Sequence, residues 1–130
     1  MKRLALVFAA TLMFLTLAVA APQNQAFTGE IMDSRCANLG SHAETIKNHE
    51  GIHTAKECAL LCVKQGSKFV LFNAIAKTTY QLDDQRKLGQ FAGESVTVSG
   101  TLDQSNKAIH VADIKLSPAK LPFPASDQPH

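Results

Sequence analysis

The chain has 130 residues, with 13 Lys and Arg against 11 Asp and Glu, five His, three Cys, one Tyr and no Trp. Two of the cations, Lys2 and Arg3, belong to an N-terminal leader, so the rest of the chain carries eleven charges of each sign. Nucleic-acid binding needs a clustered basic groove and stacking aromatics, and this composition argues against it.

Residues 1–20 read as an export signal. Lys2 and Arg3 form a positive start, Leu4 to Leu17 an apolar stretch, and Ala18-Val19-Ala20 a small-residue cleavage site before Ala21. The apolar run is short for a membrane span and lacks a stop-transfer flank, so a periplasmic or secreted protein without a membrane span is expected. About 110 residues then remain, enough for one modest core and too few for two. They divide into a domain over 21–116, with a Cys/His-bearing insert at 34–66, and a Pro-containing tail at 117–130 expected to be untethered.

Gln25 to Asp33 alternates, with Phe27, Gly29 and Ile31 on one face and Thr28, Glu30 and Met32 on the other: a half-buried strand. Asp33-Ser34-Arg35 is read as a turn into the insert. Ser41-His42-Ala43-Glu44 has the spacing of a capping box, opening a short helix that Gly51 closes. Thr54 to Gly66 is a second helix with both ends written in. Thr54 and Glu57 form a capping box, Lys64 suits the negative end of the dipole, and Gly66 supplies the left-handed terminator.

Lys68 to Phe72 is apolar on both faces, as in a central strand, and Thr78 to Leu82 returns after a short connection. Asp83-Asp84 is expected to cap a short helix, with Phe91 and Ala92 turned inward. Glu94 to Asp103 alternates clearly, Val96, Val98 and Leu102 facing the core. Gly100 in the core phase, and a phase change between Val111 and Ile114 in the last strand, Ala108 to Leu116, both signal bulges. Five strands with a helical insert between the first and second, and a short helix between the third and fourth, is the element order of an oligonucleotide/oligosaccharide-binding (OB) barrel. The rival is an open α+β sheet with the insert on one face.

The stretches Gly29-Glu30-Ile31-Met32-Asp33-Ser34-Arg35-Cys36-Ala37, Cys58-Ala59-Leu60-Leu61-Cys62-Val63-Lys64-Gln65-Gly66, Phe69-Val70-Leu71, Tyr80-Gln81-Leu82-Asp83-Asp84-Gln85 and Phe91-Ala92-Gly93-Glu94-Ser95-Val96-Thr97-Val98-Ser99-Gly100-Thr101-Leu102-Asp103 carry a resemblance. Together they make the chain similar, from Gly29 to Ile114, to a family of small exported bacterial proteins. The resemblance implies an exported OB-like domain and brings no activity with it.

Three roles compete for Cys36, Cys58 and Cys62. Exported thiols meet an oxidising compartment, and a disulfide closing this loop contributes about 3 kcal/mol. Positions four apart on a helix lie about 6 Å apart, whereas bridged Cβ atoms need about 4 Å, so Cys58–Cys62 is disfavoured. Chain geometry favours Cys36–Cys62, leaving Cys58 over. The alternative is a metal site for Zn or Cu, in which the three thiolates are joined by His53 or His42. A thiol oxidoreductase comes third, because Cys-x-x-x-Cys is not the redox Cys-x-x-Cys and the βαβ context is missing. His110 and His130 are read as solvated. No catalytic residue is assigned, and Asp83 and Asp84 are neighbours that point different ways. The expectation is a non-enzymatic domain without cofactor that binds a small ligand or protein, or plays a structural role, with its insert stapled by the disulfide.

Overall fold

The computed structural model describes residues 21–118; the export signal expected at 1–20 and positions 119–130 of the tail, His130 included, lie outside them. The chain is mainly β. In order it forms β1 (Gln25–Asp33), α1 (Ser34–Leu39), α2 (Ala43–Asn48), α3 (Ala55–Lys64), β2 (Phe69–Asn73), β3 (Thr78–Leu82), a 3-10 turn (Leu88–Phe91), β4 (Ser95–Asp103) and β5 (Ala108–Leu116). Among the described residues no helix is long and apolar enough to cross a membrane.

The five strands make one sheet that closes in a ring, in the order β1-β2-β3-β5-β4. β1 is the hinge of the ring. Residues 25–30 pair antiparallel with 95–100 of β4, and residues 30–33 pair antiparallel with 69–72 of β2. The seam is a short parallel contact, Gln81 beside Ala108 and Leu82 beside Ile109. Both bulge signals mark one irregularity. Ser99 faces Asp113 and Gly100 faces Val111, so Ala112 is the extra residue. A Cβ at Gly100 would collide with the His110 carbonyl, which is why only glycine fits there.

Ile31, Phe69, Leu71, Leu82, Leu88, Val96, Val98 and Ile109 form the main core, with Ala59 and Ala92 packed into it. A second core lies outside the ring. There Met32 and Val70, from the opposite faces of β1 and β2, pack with Cys36, Ala37, Cys58 and Cys62 of the insert. This explains why β2 is apolar on both sides: one face fills the ring and the other is the floor beneath the helices. It also explains why β1 ends buried on both faces at Ile31, Met32 and Asp33, where alternation alone predicts a wet side.

The helix ends differ from expectation in four places, the first being that α2 ends at its C-cap His49 and not at Gly51. Asp33-Ser34-Arg35 is not a turn, because the Asp33 side chain caps α1 by accepting from Arg35 N and Cys36 N, both at 3.0 Å. The expected Ser41/Glu44 box does not form. His42 takes the cap position of α2 with its side chain turned inward, and Ser41 Oγ accepts only from Ala43 N. Asp83 does not cap the 3-10 turn. Its Oδ1 accepts from Val111 N at 2.9 Å and its Oδ2 lies 3.0 Å from His110 Nδ1, tying β3 to β5. His110 is thus exposed but partnered. α3 follows its sequence: Thr54 Oγ1 accepts from Glu57 N, Glu57 Oε2 accepts from Thr54 N, and Gly66 adopts a φ of 108° just past the end. Ser117, at the start of the tail, donates its backbone N–H to Ser95 O.

Candidate metal centre

Four side chains converge where the insert meets the end of β1. Asp33 is the last residue of β1, Cys36 stands in the first turn of α1, His42 caps α2, and Cys58 lies near the start of α3. One donor atom from each lies within 4.8 Å of the others, and all four residues are buried. The fold brings them together because α1 and α3 pack on β1, and α2 lies against α3 with His42 at its start.

Every polar group of the cluster is held by a partner except two. Asp33 Oδ1 is consumed by the α1 cap, which fixes the carboxyl plane and leaves Oδ2 aimed into the cluster. Glu30 Oε1, 3.1 Å from His42 Nε2, orients the ring so that Nδ1 faces inward. Asp33 Oδ2 and His42 Nδ1 stand 3.9 Å apart, buried and with no hydrogen-bond partner. A buried polar atom without a partner costs about 1–3 kcal/mol, so a cation or a water that bridged these two would be stabilising.

The thiols complete the set. Cys36 Sγ lies 3.4 Å from Thr45 Oγ1 and 3.6 Å from Cys58 Sγ. All three cysteines are free, and the thiol in contact with Cys36 is that of Cys58. Two sulfurs bonded to one tetrahedral zinc, each about 2.3 Å from it, stand about 3.8 Å apart, whereas a disulfide holds them at about 2.05 Å. The observed 3.6 Å excludes a disulfide between them as they stand and is compatible with a shared ion, although it is also an ordinary sulfur–sulfur contact distance.

Burial pushes the Cys36 thiol far above its ordinary range, and the neighbouring Asp33 and Cys58 push it further, against a smaller opposing effect of the Thr45 hydroxyl. Burial raises Cys62 as well, reinforced by the negative potential of Asp33 and Cys58 and opposed by Arg35. In the metal-free protein these thiols therefore keep their protons at neutral pH. A cation among them reverses this preference, because it replaces the protons as the countercharge.

Of the residues proposed from sequence as ligands, Cys36, Cys58 and His42 meet in space. Cys62, one helical turn beyond Cys58, is buried beside it but outside the mutually close set. His53 is exposed, and its backbone N–H donates to Glu57 Oε2 as part of the α3 cap. The sequence reading missed Asp33 and Glu30. Asp33 carried a usable signal: an aspartate three residues before a cysteine, at a strand end, is a standard cap position. Glu30 shares the outer face of β1 with Met32, and that face is the one the insert covers.

No family model, curated protein or solved structure matches this chain.

Proposed function

We propose that the protein is an exported, non-enzymatic domain whose helical insert holds one transition-metal ion through Asp33, Cys36, His42 and Cys58, with Glu30 orienting the histidine. The observation that carries this reading is the pair of orphaned atoms, Asp33 Oδ2 and His42 Nδ1, buried between two thiols. A disulfide staple, Cys36–Cys62 or otherwise, would consume thiols and leave both atoms unpaired; a metal satisfies all four donors at once. The donor set is closed and buried, which is the character of a structural site, since a catalytic one keeps a position open.

The insert has reason to need such an ion. α1 and α2 are six residues each, and isolated helices shorter than about 12 residues are marginal in water. α2 buries no residue within its own span, so its cap residue His42 is its firmest attachment. Metal-binding free energy then becomes folding free energy for this part of the chain. The ring itself supports an OB-like assignment: five strands in the order β1-β2-β3-β5-β4 with a short helix between β3 and β4. Whatever small ligand or protein the domain serves, the ion's place is to hold the helices against that ring.

The test is elemental analysis combined with intact mass after alkylation, on protein isolated without chelators. One ion per chain, lost in His42→Ala and Cys58→Ser, is the expected result. Metal-free protein with two cysteines cross-linked would refute the proposal.

A further inference from the structure

We infer that Asp33 is the residue that determines which ion the centre takes, completing a two-sulfur, one-nitrogen, one-oxygen set for a divalent ion of the Zn(II) class and leaving Cys62 outside it. This deepens the metal reading above and rests on it.

Three observations carry the inference. Asp33 is wholly buried, and its two oxygens have separate tasks: Oδ1 holds two backbone N–H groups, and Oδ2 has no partner and faces His42 Nδ1. The carboxylate therefore cannot rotate away, and it offers one oxygen, not two. Cys62 is equally buried, yet its sulfur does not join the group of atoms within 4.8 Å of one another, whereas the Asp33 oxygen does.

Charge and donor chemistry then decide the class of ion. Two thiolates and one carboxylate carry three negative charges. A divalent ion leaves one of them uncompensated, and a monovalent ion leaves two, in a site mostly removed from water. Uncompensated charge in such surroundings is costly, so the carboxylate favours the higher charge. Thiolates alone suit Cu(I), while oxygen donors move preference toward harder divalent ions, and a mixed tetrahedral set of sulfur, nitrogen and oxygen suits Zn(II). Asp33 thus turns a thiol pair that would serve either ion into a centre tilted toward Zn(II).

The experiment compares the reduced wild-type chain with Asp33→Asn and Cys62→Ser. Asn keeps the capping oxygen and the shape while removing the charge, so α1 retains its start. Zn(II) affinity is read by competition with a chromophoric chelator, Cu(I) affinity by competition with a Cu(I)-specific one, and the Co(II) derivative by its absorption. In Asp33→Asn, Zn(II) affinity is expected to fall roughly 100-fold or more, beyond the loss usual for an outer-sphere partner, with Cu(I) affinity nearly unchanged. In Cys62→Ser, Zn(II) affinity stays at the wild-type value. The wild-type Co(II) spectrum is expected to be tetrahedral, with sulfur charge-transfer intensity matching two thiolates, a readout independent of whether the Asp33 variant folds. An unchanged Zn(II) affinity in Asp33→Asn, an equal loss of both ions, or a three-thiolate Co(II) spectrum that needs Cys62 would overturn the inference while leaving a metal site in place. Failure of the wild-type chain to bind any of the three ions would instead remove the metal reading beneath it.

Discussion

Stripping the ion should loosen α1 and α2 while leaving the ring folded. The two helices contribute few buried side chains of their own: Cys36 and Ala37 from α1, and none from within α2, with Ile46 only partly buried. Fixing one backbone residue costs about 1–2 kcal/mol, so twelve helical residues demand more than those few contacts return. On the proposed reading, metal bonds through Cys36 and His42 would offset part of that cost. An ion present at 100 times its dissociation constant stabilises the native state by about 2.7 kcal/mol, which for a domain of this size raises the melting temperature by roughly 10–20 °C. Thermal melts with saturating Zn(II) and with chelator give the shift. Amide hydrogen exchange locates it: on chelation, residues 34–52 lose protection, while the strands carrying Leu71, Val96, Val98 and Ile109 keep theirs. His42→Ala should abolish both responses. Equal protection of residues 34–52 with and without the ion would refute the reasoning, because the insert would then be held by its apolar contacts alone.

Three further outcomes follow from other parts of the structure. Glu30→Gln keeps a hydrogen-bond acceptor for His42 Nε2 but removes the charge, and should lower metal affinity about 10- to 100-fold in the same chelator competition without changing the fold. Gly100→Ala drives a methyl group into the His110 carbonyl at the bulge, and should cost about 1–3 kcal/mol in urea unfolding. The Val111 N–H donated to Asp83, with His110 as a second partner, holds the Asp83 carboxyl below the usual carboxylate range. Its folded-state value lies below its unfolded one, so its contribution is complete above the unfolded value of about 3.9 and is lost as pH falls through the folded value. Because the site is largely exposed, Asp83→Ala should cost only about 1 kcal/mol at neutral pH, and the gap to wild type should narrow as pH falls below the ordinary carboxylate range.

The strands were legible because each face of a strand answers to one environment. Period-two alternation located β1 and β4, and the misplaced Gly100 announced the bulge before any partner strand was known. α3 was equally plain, since Thr54, Glu57 and Gly66 act within a few residues of one another. All of these are local: the residues that set the conformation are neighbours in the chain. Asp33 shows where such locality ends. One of its oxygens serves a local cap that the sequence could have revealed, while the other faces a cluster that exists only because α2 and α3 fold back over β1.

The centre belongs to that second kind. Nothing in the spacing of the histidines separates His42 from His53, as each stands at the start of a helix near a cysteine. What separates them is direction, one ring drawn under the insert by Glu30 and the other left in solvent. Cys36 and Cys58 are 22 positions apart, and the choice of Cys58 over Cys62 as the neighbour of Cys36 depends on how α3 is rotated about its axis against β1. Sequence alone determined the five strands, the best-capped helix and the pool of soft donors. Only the packing of the insert on the outer face of the sheet decided which donors meet, because that choice is made by contacts between segments that carry no record of each other in their own spacing.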